Sequence, residues 1–197
     1  MYKFHIALFA AIITLTSCEK ENIQPIEEDN NTRTVENDCA WTFELTAGQN
    51  MNAGTVTVSN DNNFIYVTYT TTGQWSIYET HLYVGHPDDL PKNGGGNPQI
   101  GQFPYSETHY GVTSYTYAVP IDPDLNCYIV AAHATVGLMG ENGEPTQFET
   151  AWVNQCEINP DGGSWAMYAK YCLMDCEGDG FNGDGDVKPQ VASTKSK

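Results

Sequence analysis

The sequence predicts an all-β fold, a single antiparallel β-sandwich of about eight strands, with a β-barrel as the alternative. Three observations carry this. From Trp41 onward almost no helical period is found. Short runs rich in Val, Ile, Thr, Tyr and Phe recur, bounded by Gly, Asn, Asp and Pro. One of them, "GTVTVSNDNNFIYVTYTTTGQW", alternates apolar and polar residues on both sides of an Asn-Asp-Asn turn and reads as a β-hairpin.

Taken along the chain, the strands run from Trp41 to Leu45, through the hairpin, then Ser76 to Val84, Tyr110 to Val119, Cys127 to Val136, Gln147 to Val153 and Ser164 to Leu173. In the hairpin Val56 and Val58 alternate with Thr55 and Thr57, and Ile65, Val67 and Tyr69 resume the pattern on the return strand. In "YETHLYVG", period two puts Tyr78, Thr80, Leu82 and Val84 on one face, the more apolar and expected core face, and Glu79 and His81 on the other. The widest interruption, "GHPDDLPKNGGGNPQIGQFPY", holds too much Gly and Pro for a central strand. A long loop on a rigid sheet is a candidate recognition surface, with a plain solvated connection as the alternative.

The N-terminus predicts an address. Lys3 precedes the apolar run from Ile6 to Leu15, which is too short to span a bilayer and ends in small polar residues. Residues 1 to 17 read as a signal peptide, and Leu15-Thr16-Ser17-Cys18 resembles the bacterial lipobox, which implies cleavage before Cys18 and diacylation of its thiol. Residues 18 to 38 are acidic and aperiodic, a flexible tether. Acidic residues straight after a lipidated cysteine resemble the export signal of surface lipoproteins, so the expected place is the outer membrane with the domain exposed, periplasm-facing anchoring being the alternative. Residues 39 to 176 form the β-domain and 177 to 197 a polar, acidic tail.

The whole chain has a formal charge of -17, and removal of residues 1 to 17 leaves 7 basic residues against 25 acidic ones, or -18. Such a surface repels phosphate backbones and excludes nucleic acid as a partner. Apart from Cys18, five cysteines remain: Cys39, Cys127, Cys156, Cys172 and Cys176. In an oxidising compartment they predict two disulfides and one thiol left over, with connectivity open. The C-x-x-x-C spacing of Cys172 and Cys176 has no second pair to complete a zinc cluster.

Three candidate sites follow. Glu79 and His81 share a strand face, and His133 in "CYIVAAHATV" and Glu149 in "FETAW" would complete a two-His, two-carboxylate site for zinc or another divalent ion if their strands are neighbours. In "DCEGDGFNGDGDVKP", Asp179, Asn182, Asp184 and Asp186 lie among glycines as hard oxygen ligands for calcium. However, Val187 replaces the expected glycine and Ser193 the bidentate acid, and the composition matches a disordered tail. Trp75, Tyr105 and Tyr110, beside the hairpin exit and the long loop, are candidate aromatic platforms for glycan. No HExxH, GxSxG or Gly-rich phosphate loop occurs, which leaves catalysis without a motif.

The ordered motifs "ETHLYVG", "GNPQIGQFPY", "YIVAAHATV", "FETAW" and "SWAMYAKY" resemble a recurring all-β domain of secreted and cell-surface bacterial proteins, over residues 53 to 171. The resemblance implies an extracellular module and supplies no catalytic residue. The functional expectation is therefore a lipid-anchored surface protein that binds glycan or a surface partner. A metal-dependent protein and a structural subunit of an envelope complex are the alternatives.

Overall fold

The structure, a computed structural model, describes residues 39 to 175. Cys18, the tether, Cys176 and the tail with Asp179, Asn182, Asp184 and Asp186 lie outside the described residues. Ten strands follow one another: β1 (Ala40–Ala47), β2 (Met51–Asn60), β3 (Phe64–Thr71), β4 (Trp75–Gly85), β5 (Tyr105–Val112), β6 (Ser114–Pro120), β7 (Cys127–Met139), β8 (Pro145–Asn154), β9 (Cys156–Glu157) and β10 (Met167–Cys172). Among the described residues there is no α-helix, only two short 3-10 turns, Pro87–Asp89 and Ile100–Gln102.

The expected hairpin forms β2 and β3, pairing Val58 with Val67 and Val56 with Tyr69. Its turn is set by Asp61, whose Oδ1 accepts hydrogen bonds from the Asn63 and Phe64 amides, both at 2.7 Å. Alternate residues of β3 are buried, so Ile65, Val67 and Tyr69 face the interior as period two requires. One strand expectation changes. The stretch from Tyr110 to Val119 is not one strand but the end of β5 and most of β6, separated at Thr113, two residues after Gly111 with its φ of +75°. The all-β expectation of a sandwich or barrel is met by one antiparallel sheet in the order β5-β4-β7-β8-β1-β2-β3-β6, nearly closed and barrel-like, with β10 added beside β7.

The sheet encloses a core that includes Leu45, Val56, Val67, Ile77, Leu82, Val130, Val136 and Val153. Burial of each such side chain stabilises the fold by roughly 1.5 to 3 kcal/mol. A second apolar cluster lies on the outer face of β4, β7 and β8, where Tyr83, Ala131 and Trp152 are covered by Leu90 and Phe103. Those two residues belong to the long Gly/Pro loop. The loop is therefore not the merely solvated connection given as the alternative: its two ends carry apolar anchors that seal part of the sheet, with Phe103 packed at ring distances of 6.1 Å from Tyr83 and 6.4 Å from Trp152.

At the ends of the sheet β5 and β6 do not pair with each other. Side chains bridge the interval: Thr80 Oγ1 lies 2.7 Å from Tyr117 Oη and 2.9 Å from His109 Nε2, and Tyr69 Oη donates to the His81 carbonyl at 3.1 Å. Cys127 and Cys172, directly opposite each other on β7 and β10, form a disulfide. Cys39 and Cys156 are disulfide-bonded as well, so no thiol is free among the described residues.

Candidate functional site

Strand register assembles the outer face of β5, β4, β7 and β8 into rows. One row reads Ser106, His81, His133, Trp152 across the four strands. The next reads Thr108, Glu79, Thr135, Thr150. Directly opposite residues point to the same face, so each row is a line of neighbouring side chains. Beyond the second row, Gly137 on β7 stands opposite Phe148 on β8.

His81 and His133, whose meeting depended on their strands being neighbours, come together: the ring centroids are 5.4 Å apart, and the His133 ring lies 4.9 Å from that of Trp152. Glu79 Oε1 sits 3.5 Å from His81 Nε2. His133 is only 3% exposed, and its Nδ1 has no hydrogen-bond partner among the protein atoms. Burial therefore pushes its pKa down to about 3, with the neighbouring His81 imidazole acting in the same direction.

Glu149 does not join them. It pairs with Val136, three residues along β8 from Trp152, so parity turns it to the opposite face. There its carboxylate is bonded by the Gln147 side-chain amide. With Glu149 removed, the proposed two-His, two-carboxylate set is not assembled, and among the described residues no group of three or more His, Cys, Asp or Glu is placed to hold a metal ion.

The aromatic candidates divide. Trp75 and Tyr105 belong to the core and present no platform to a ligand, because both pack with the interior side chains of the nearly closed sheet. Tyr110 is 94% exposed. The sequence reading missed a platform elsewhere. Between Ile77 and Glu79 the β4 ladder is irregular toward both β5 and β7. The extra residue at this bulge places Tyr78 on the outer face, although parity had assigned it to the core.

Tyr78 there meets Phe148 edge to face at 4.9 Å. A Cβ on Gly137 would lie 2.6 Å from the Tyr78 ring and 3.2 Å from the Phe148 ring, so the absent side chain lets both rings settle against the sheet. Phe148 is nevertheless 53% exposed. The phenyl ring thus stands exposed on the sheet, braced by a second aromatic.

The interior chain from Tyr117 through Thr80 to His109 has the residue types of a nucleophile and base. Thr80 is fully buried, however, and its hydroxyl is occupied on both sides. It serves the closure of the sheet. Comparison with family models, curated proteins and solved structures gives no match for this chain.

Proposed function

We propose that the chain is a lipid-anchored protein of the bacterial cell envelope, fixed through Cys18 to the outer membrane with its domain outward. In this reading the outer face of β5, β4, β7 and β8 holds a ligand without catalysing a reaction. The observation that carries it is the open platform, in which Phe148 and Tyr78 lie beside a row of hydroxyls and one carboxylate. The exposed Cys127–Cys172 disulfide supports export, since such bonds persist in oxidising compartments. The resemblance to bacterial surface domains agrees with this place.

Two measurements test it. In membrane fractionation, Cys18→Ala should move the protein from the membrane to the soluble fraction, and wild type should be cut by protease added to intact cells. In a pull-down from envelope extracts, the full chain should retain a component that the Tyr78→Ala/Phe148→Ala double variant releases. Equal retention by both proteins removes the platform as the working surface.

A further inference from the structure

Resting on that reading of the face, we propose that its ligand is an uncharged carbohydrate chain. The pyranose rings would stack on Phe148 and Tyr78, and their hydroxyls would bond the row of Thr108, Glu79, Thr135 and Thr150. The chemistry of the rows selects this class. A sugar ring offers a C–H face of slight positive potential, which suits the negative face of an aromatic ring. Its hydroxyls both donate and accept, which suits threonine hydroxyls that do the same and a carboxylate that accepts.

The carboxylate is available for this, since the Glu79 side chain is 47% exposed beside His81. Thr108 and Thr150 are exposed and Thr135 half-buried. Across three strand spacings the row extends roughly 14 Å, longer than a single sugar ring. One residue pair further along β8 stands the phenyl ring, roughly 7 Å from the row.

Charge settles the subclass. Lys92 and Lys170 are the only Lys or Arg residues between positions 39 and 175, and neither belongs to β4, β5, β7 or β8. With Glu79 in the middle of the row, uronic acids and sulfated sugars meet repulsion with no cation to offset it. A protein partner is disfavoured by the composition of the face. Stable protein interfaces need roughly 1,000 Å² or more with an apolar centre, whereas here two rings border a line of hydroxyls.

The experiment is native affinity electrophoresis of the purified full chain through gels containing soluble neutral polysaccharides (β-glucan, xylan, mannan), with polygalacturonate as the anionic counterpart. At least one neutral polymer should retard wild type and polygalacturonate should not. Phe148→Ala and Glu79→Gln should each weaken the retardation at least tenfold. Trp41→Ala, which removes an exposed aromatic ring on β1, should leave it unchanged.

Thermal melts establish that the variants are folded, which the exposure of both substituted side chains favours. No retardation by any neutral polymer, or retardation untouched in Phe148→Ala, overturns the inference. So does capture, from the extracts described above, of a protein that depends on Phe148, although that result keeps the platform as a binding face. Extract retention that ignores both rings removes the face and the carbohydrate together.

Discussion

His133 is kept neutral by its place in the sheet, between His81 and Trp152 with almost no exposure. Its folded pKa of about 3 lies below the ordinary 6.5, so the unfolded chain binds a proton that the folded one refuses. The stability this contributes is complete above about pH 6.5 and declines as pH falls toward 3. Between pH 7 and pH 5 wild type should lose roughly 2 kcal/mol more than His133→Gln, read as urea midpoints; parallel pH profiles would contradict it. Thr80→Val tests the closure of the sheet. It strands His109 Nε2 and leaves Tyr117 Oη only the Thr80 carbonyl at 3.5 Å, and should cost about 1 to 3 kcal/mol in the same assay, whereas exposed Thr150→Val should change little. At this scale the sequence told part of the site. The spacing of Glu79 and His81 follows from strand period alone, and their contact is seen at 3.5 Å. That His133 lies opposite His81 needed the register of β4 on β7, a long-range fact that a local pattern does not hold. Tyr78 defeated parity because one extra residue at a bulge reverses every assignment on its side.

Strands announced themselves wherever one face is buried and the other is not, as β2 and β3 show with Val56, Val58, Ile65 and Val67. The long loop was harder to read because Leu90 and Phe103 stand singly among Gly and Pro, with no period to mark them as buried. The break between β5 and β6 was hidden for a related reason: it falls at Thr113, itself a strand-forming residue within a run of them. Another glycine is more demanding. Gly54 on β2 sits with φ of +147° where the ladder to β1 shifts register, and a Cβ there would collide with the Thr70 carbonyl. Three strands meet at this point, since Gly54 pairs with Leu45 on β1 and Thr71 on β3. Gly54→Ala should therefore destabilise by several kcal/mol, enough to lower yield and melting temperature together. Gly73→Ala provides the comparison. Its φ of +63° is also left-handed but a Cβ there meets no atom, so a smaller loss of about 1 kcal/mol is expected. Equal losses would show that backbone conformation, and not the collision, governs Gly54.

Residues 39 to 175 form one sheet curled almost onto itself, and closure depends on strands that join it late in the sequence. A sandwich and a barrel share the same strand content and alternation, so the sequence alone could not choose between them; the choice lies in β8 pairing with β1, which carries the sheet from one half to the other. β10 pairs with β7 over four residue pairs and with the two-residue β9, and then ends at Cys172. The disulfide to Cys127 fixes that end to the first residue of β7, closing a loop with a sequence separation of 45. Cross-linking at that separation restricts the unfolded chain by roughly 4 kcal/mol in the chain-entropy account. The Cys127→Ala/Cys172→Ala double variant should accordingly melt roughly 10 °C lower than wild type while the other cysteines stay oxidised. The loss should be greatest at the β10 end: hydrogen exchange of the Ala169 and Tyr171 amides, which face β7, should quicken before that of Val67 or Val136, whose neighbours on both sides remain in the ladder. A double variant that melts with wild type, with β10 amides equally protected, would show that β-pairing and the Tyr171 hydroxyl donating to Asn60 Oδ1 at 2.6 Å hold the strand without the bond.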